Sequence, residues 1–303
     1  MKLTINEIAF LAGAYREKSP LSLFANIDAR LDGTEEKSLV KKGVYIDGGL
    51  SPKEKEMLDV AAGAGRCARV ALKDNSCVVE KYVYRDGGKI VLVENDGGDL
   101  LFSVPDGWSK TLSEISEFTG ISRIKSSFIE VLLPVEQMMA LLAVIDLSRK
   151  NALNSYIGNN VENGPIAYTD IVRHLENPGK NSFVHMLKKN YNFSVPEAGE
   201  VGALLGGLSG KGCIRLEKGC SLQAEYAVFA SSFLIPETVV IMEAFNADEH
   251  GRVTSGAALC VCAGVKDIAS FIFSPEGIEL SSISGMQLMQ MVENFLNCPD
   301  ITG

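Results

Sequence analysis

At 303 residues, with 46% hydrophobic and 22% charged side chains, the chain has the composition of a folded globular protein with room for two domain-sized cores, which excludes wholesale disorder. Its net charge of −9 is unevenly placed: residues 1–125 hold 18 Lys and Arg against 19 Asp and Glu, whereas residues 126–303 hold 11 against 19. Nets of −1 and −8 follow, and an acidic second half repels phosphate backbones, which argues against nucleic acid as a partner.

The opening Met1-Lys2-Leu3-Thr4-Ile5-Asn6-Glu7 enters an amphipathic helix directly, without the apolar stretch and small-residue cleavage site of a secretory signal. No apolar run approaches the roughly 20 residues that span a bilayer. The expected location is the cytoplasm, with no membrane partner. Seven cysteines, at 67, 77, 213, 220, 260, 262 and 298, are odd in number and lack disulfide-framework or zinc spacing, so buried reduced thiols are expected.

In chain order, Thr4 and Glu7 stand in capping-box spacing at the head of a first helix carrying Ile5, Ile8, Leu11, Ala12 and Tyr15. A short helix follows around residues 35–42, then an extended piece between Gly43 and Gly49. Ser51-Pro52-Lys53-Glu54 combines an N-cap Ser, a Pro at the first helical position and a Glu two residues on. Four β-rich runs come next, Arg69–Lys73, Val78–Tyr84, Lys89–Glu94 and Leu100–Val104, the last three separated by Asp86-Gly87-Gly88 and Asp96-Gly97-Gly98. Asp-Gly between such runs is hairpin chemistry, so they predict an antiparallel meander. A closing helix is expected from Thr111, with Glu114 as its box partner.

The same order returns. Leu133-Pro134-Val135-Glu136 opens a helix whose apolar stripe is broader than that of the first, which predicts deeper burial. After an Asn- and Gly-rich loop over 154–165, helices are predicted near 168–175, 182–189 and 197–208. Lys42-Gly43 then matches Lys211-Gly212, and Gly49-Leu50-Ser51 matches Gly219-Cys220-Ser221 with one residue inserted. A helix follows, then strands at Glu237–Phe245, Ala257–Ala263, Ile268–Ser274 and Ile278–Ser282, and a last helix boxed by Ser284 and Gln287. The predicted fold class is α+β: two diverged copies, residues 1–125 and 126–303, of a unit with a four-stranded antiparallel sheet flanked by helices, related by a pseudo-twofold.

Motifs for chemistry do not assemble. In the glycine run 206–212 the first Gly of a phosphate loop falls on Leu205 and the required Ser or Thr on Gly212, so a helix cap and turn is the expectation. Ser209 lacks the second flanking Gly of a nucleophile elbow, since Lys211 stands there. His174, His185 and His250 fall in no metal-ligand pattern and are expected in solvent. The pairs Glu35-Glu36 and Asp248-Glu249 lie at polar turns or helix starts rather than in a dry pocket. The acidic glycine turns lack the alternating oxygens of a calcium loop. No catalytic, cofactor or metal residue is assigned. Lys37, Lys41 and Lys42 would be the basic feature of a winged-helix-like opening, and as one small cluster they read as a solvated face. The methionines Met138, Met139, Met286, Met289 and Met291 read as core filling.

The opening Leu3–Leu11, the Gly43–Ser51 turn before a helix, the four-strand meander and the repeated order together resemble the EspG-type proteins of type VII secretion systems and related accessory proteins of Gram-positive bacteria. The likeness spans almost the whole chain as an order of elements and transfers no binding positions. It implies two similar α+β halves and a cytoplasmic chaperone that binds helical secreted substrates without ATP or metal. The expected function is therefore non-enzymatic protein binding. A winged-helix-like regulator and an enzyme of unrecognised type are the alternatives.

Overall fold

The computed structural model describes residues 1–301 apart from 26, 28, 47, 75, 77, 159–163 and 264–266. Its elements are β1 (Lys2–Thr4), α1 (Ile5–Ala12), α2 (Glu35–Lys41), β2 (Tyr45–Ile46), β3 (Gly49–Leu50), α3 (Pro52–Gly63), β4 (Arg66–Lys73), β5 (Val78–Asp86), β6 (Lys89–Asp96), β7 (Asp99–Ser103), α4 (Ser109–Thr119) and β8 (Glu130–Leu133). They continue with α5 (Val135–Gly158), α6 (Tyr168–Glu176), α7 (Phe183–Tyr191), α8 (Ala198–Gly210), β9 (Ile214–Leu216), β10 (Cys220–Leu222), α9 (Ala224–Ser232), β11 (Thr238–Ala247), β12 (Val253–Ala263), β13 (Asp267–Ser274), β14 (Gly277–Ile283) and α10 (Gly285–Leu296). By compactness the chain divides into a first unit of Met1–Ile115, Val240–Ala258 and Met289–Gly303 and a second of Ser116–Val239 and Leu259–Leu288. These discontinuous units are a division by packing, separate from the repeat boundary expected between residues 125 and 126.

In the first unit β1, β7, β6, β5 and β4 pair antiparallel in that order, and β11 follows β4. The β6–β7 turn needs its glycines, because Gly97 and Gly98 adopt φ of 65° and 96°, the left-handed region that a tight hairpin turn imposes. Alternation along the strands sends Cys67, Tyr84, Val91, Val93 and Phe102 into one core with Ile8 and Leu11 of α1 and Met57 and Leu58 of α3. Lys81, of opposite parity to Tyr82 and Tyr84, is buried and held by ion pairs to Glu94 across the strands and to Glu114 of α4 at 2.8 Å. This corrects the expected start of α4. Leu112 N–H donates to Trp108 O, the helix begins at Ser109, and Glu114 serves the buried ammonium instead of closing a capping box.

In the second unit β13 pairs antiparallel with β14, and β14 with β8. Helix α5 is buried on every side from Met138 to Leu147, which its all-round apolar sequence requires. It packs against α6, α7, α8 and α9 and against β8, β10 and β14. Phe183, Phe229, Phe233 and Phe271 fill the space beside it, with ring centroids 4.7 to 6.2 Å apart. Helix α5 also runs to Gly158, through the start of the loop expected over 154–165; residues 159–163 of that loop lie outside the described residues.

The meanders form where expected, and each gains a fifth strand: β1 adds to β7 and β8 adds to β14. At three and four residues these strands are too short for their periodicity to register. The matched glycines occupy the same conformation. Gly43 and Gly212 follow the ends of α2 and α8 with φ of 71° and 74°. Val44 N–H reaches back to Leu39 O and Cys213 N–H to Leu208 O, closing both helices alike. In the hairpins that follow, Tyr45 faces Leu50 and Ile214 faces Leu222. By strand pairing Ser51 thus corresponds in position to Gln223 rather than Ser221, and the second hairpin is three residues longer where the sequence match suggests one. Gly219 packs against Ile166 and Pro165 instead. The N-cap Ser51 also departs from expectation, since its hydroxyl contacts the Glu54 side chain and no backbone cap bond forms.

Thr4 and Glu7 do form the expected capping box, and it extends further. Glu7 is buried, and its carboxylate accepts from Thr4 N–H at 2.7 Å, Ser38 Oγ at 2.6 Å and Lys42 Nζ at 2.7 Å, tying α1 to α2. Burial alone raises the Glu7 pKa; the hydrogen bonds from Lys42, Ser38 and Thr4 outweigh it and hold the carboxyl below its usual range. A group with a depressed folded pKa contributes fully above its unfolded value, about 4.3, and loses that contribution as pH falls through the folded value. Glu7→Gln is expected to lower stability to urea by ~1–2 kcal/mol at pH 7, with the gap to the parent chain closing below about pH 4. Urea titrations of both chains between pH 7 and 3 check this, and a gap that stays constant would show that the ionised carboxylate is not what binds the two helices.

Candidate protein-binding surface

The charged residues inside the second unit are committed to structure. Asp146 of α5 accepts at Oδ1 from Arg149 Nη1 at 2.6 Å and Phe183 N–H at 2.9 Å. At Oδ2 it accepts from Val184 N–H at 3.1 Å and lies 3.3 Å from His174 Nε2. It therefore caps the first turn of α7, where the helix dipole favours an anion. Arg149 donates to Phe233 O at 2.6 Å and stacks 4.4 Å from the Phe183 ring centroid. Burial lowers the Arg149 pKa, and Asp146 works against that shift. A cleft of about 270 Å³ opens here, between Asp146, Arg149, His174 and Ile235, but the Asp146 oxygens have no capacity left for a substrate. His174 is thus largely buried against a carboxylate rather than in solvent, because it lies on the inner side of α6 near buried Ile171 and Leu175 while Arg173 faces outward. His250 is exposed in the β11–β12 turn, as expected, and His185 is half-buried at the head of α7.

The other candidates resolve similarly. Glu35 is buried and accepts from the Asp32 and Gly33 N–H groups at 2.8 and 2.9 Å, organising its own loop. Lys37, Lys41 and Lys42 are all at the surface, and Lys42 pairs with buried Glu7. The glycine run 206–212 forms the last turns of α8 and its cap. Cys67, Cys213, Cys220, Cys260, Cys262 and Cys298 are buried free thiols, and burial pushes Cys67, Cys260 and Cys298 up to about 12; Cys77 lies outside the described residues. Among the described residues no group of three or more His, Cys, Asp or Glu is placed to hold a metal ion, and no helix is long and apolar enough to cross a membrane. A groove of about 500 Å³ in the first unit lies between α3 and the strands β6 and β7, floored by Met57, Val60 and Val91 and edged by Lys53, Lys89 and Val104.

Large apolar side chains stand in water along one stretch of the second unit. Phe118 at the end of α4 is 51% exposed, Ile121 62%, Ile124 67% and Phe128 74%. Around Phe128 the chain is tied to β13 and β14. Lys125 Nζ donates to Ser282 O at 2.7 Å, Ser126 N–H to Asp267 Oδ1 at 3.2 Å, and Ile129 and Ser282 exchange bonds. From Phe128 the chain alternates, with Phe128, Glu130 and Leu132 outward and Ile129 and Leu133 buried. Leu132 faces Glu279, and Glu279 faces Ile272, so the exposed Leu132 and Ile272 share one face of the sheet. Large apolar groups exposed in this way are a feature that interaction surfaces share.

No protein-family model matches the chain, and no curated protein matches it in sequence. Among solved structures, the type VII secretion chaperone EspG5 of Mycobacterium tuberculosis, determined in complex with a PE25–PPE41 dimer, matches over 98% of this chain and 94% of that one, with a TM-score of 0.52 and 10% identity. The chain has the fold of EspG5. At that identity the EspG5 fold transfers architecture and no individual residue, so the surface at 118–132 rests on this chain's own geometry. Sequence reading places Phe118 on the closing helix and assigns no role to Ile121, Ile124 or Phe128. The available signal was that four large apolar residues fall in a stretch with Gly120 and Ser122, Ser126 and Ser127 and no core-forming period.

Two outcomes follow from these placements. Asp146→Ala leaves Arg149 as a buried unpaired charge and uncaps α7, and is expected to cost ~3–5 kcal/mol in urea unfolding. An Asp146→Leu, Arg149→Met double variant is expected to recover part of that loss; if it is worse than the single one, the pair rather than the stranded charge carries the stability. Phe128→Asp, in contrast, is expected to change stability by less than ~0.5 kcal/mol while reducing the fluorescence of an apolar-surface dye, measured on the same folded sample.

Proposed function

We propose that this chain is a non-enzymatic, cytoplasmic binding protein that chaperones or adapts helical substrates of a type VII secretion system. The observation that carries the reading is the EspG5 fold across 98% of the chain, since the solved EspG5 structure is a complex with a PE25–PPE41 dimer. The exposed apolar surface at 118–132 is what such a role requires, because a chaperone must cover apolar helix faces that would otherwise aggregate. The commitment of Asp146, Arg149 and His174 to one another and to neighbouring helix ends speaks against the enzyme alternative, and the Lys42–Glu7 pair takes one cation from the winged-helix one.

We further propose that residues 1–125 and 126–303 descend from one duplicated unit. In support, each half runs through an edge strand, helices, a short hairpin after a left-handed Gly, a helix, a four-strand meander and a closing helix. The matched helix closures at Val44 and Cys213 are local geometry that element order alone does not demand.

Affinity capture of the tagged full chain from lysate of its own host, with mass spectrometry of what co-elutes, tests the binding role. A small helical secreted protein in stoichiometric amount is the expected result. Recovery of DNA-associated proteins in its place, with salt-dependent DNA binding by the pure protein, would overturn the reading in favour of a regulator.

A further inference from the structure

We propose that the surface formed by Phe118, Ile121, Ile124, Phe128 and Leu132 receives an amphipathic α-helix of the partner whose apolar stripe is bordered by carboxylates facing Arg123 and Lys125, an assignment that rests on the binding-protein reading above. Each of the five side chains is close to half exposed or more, which amounts to roughly 500 Å² of apolar surface at typical side-chain sizes. In sum that is more than half of one side of a standard interface.

Preorganisation favours docking here. Backbone bonds from Ser126 to Asp267 and Ile129 to Ser282, with the Lys125 side chain on Ser282 O, tie down residues 125–129, so a partner meets Phe128 on a segment ordered already in folding. Charge selects the occupant. The two cations at its centre, Arg123 and Lys125, enter no ion pair among the described residues. Lys125 Nζ lies 5.0 Å from the Phe128 ring centroid, and Arg123 donates to the Met286 sulfur, so both charges are held beside the apolar groups. Elsewhere Arg69, Lys81 and Arg149 are each satisfied by carboxylates of this chain. Exposed Glu117 and Glu130 stand at the two ends of the stretch, which confines the complementary carboxylates to its middle.

A helix fits better than an added strand. The free edge of β8 is four residues long and carries Glu130, a charge that discourages edge pairing. Phe118, Ile121 and Ile124 lie outside β8, where a strand added to that edge would leave them uncovered. Recognition by side chains across a face is the helix-in-groove mode.

A photo-crosslinking amino acid placed at 124 or at 128 of the tagged full chain in its host, with exposed Val104 as the control position, tests the assignment, together with an Arg123→Glu, Lys125→Glu double variant. Adducts are expected from 124 and 128 and not from 104, with the same helical, acid-bordered protein that the parent chain captures. The double variant is expected to recover at least ~10-fold less of that protein, a loss of about 1.4 kcal/mol or more, with an unchanged thermal melt. If the parent chain captures a helical partner but the adducts form only from 104, or the double variant captures as well as or better than the parent, the surface or its charge is misassigned and the binding reading stands. Adducts to a second copy of this chain would make the surface a self-association face and overturn the proposal. If the parent chain captures no protein at all, both this assignment and the reading beneath it fall.

Discussion

Asp146 and Arg149 hold the second unit together from inside its most buried helix. An α-helix buried on all sides has no polar face by which its neighbours can find their register, and apolar packing alone tolerates sliding. One charged pair removes that freedom. Through Asp146 the head of α7 is fixed, through His174 so is α6, and through Arg149 so are the end of α9 at Phe233 and the loop at Asn181. Breaking such a pair is costly because the remaining charge stays buried, whereas apolar replacement of both members can be close to neutral. What the pair contributes is geometry more than net stability.

Charge follows the same logic in the first unit. Lys81 is buried with Glu94 and Glu114, Arg69 bridges Glu80 and Glu243 between strands, and Glu7 gathers Ser38 and Lys42. Each places a charged group where one element must meet another, and each is satisfied by its own chain. Against that habit, Arg123 and Lys125, which enter no ion pair among the described residues, stand out beside exposed Phe and Ile side chains.

Much of the fold was legible because it rests on signals with a local cause. Asp-Gly-Gly turns, the Thr4–Glu7 and Ser284–Gln287 boxes and the glycines after α2 and α8 each act through backbone geometry within a few residues. What was missed depends on distant partners. β1 and β8 exist because β7 and β14 offer edges, Glu114 is taken by Lys81 instead of a Thr111 box, and the hairpin equivalence shifts by two residues because strand pairing, not residue likeness, sets it. The candidate surface was illegible for a related reason. A Phe or Ile in a sequence predicts burial, and only the placement of its neighbours shows that Phe128 points outward while Ile129 takes the core.

That difference explains how the EspG5 fold can be shared at 10% identity while no binding residue transfers. The meander and its flanking helices require a pattern: alternation, glycine at positive φ, a carboxylate near each buried cation. Many sequences meet those conditions, so the frame survives replacement of almost every residue. A docking surface requires particular side chains at particular places and is free to change with its partner. The stretch from Phe118 to Leu132 largely lies between α4 and β8, where Ile129 and Leu133 meet the core's demands and the outward residues are left unconstrained by it. Under the binding-protein reading, selection on Phe118, Ile121, Ile124 and Phe128 therefore acts through the partner alone. Such a surface can diverge beyond recognition while the sheet beneath it keeps its order.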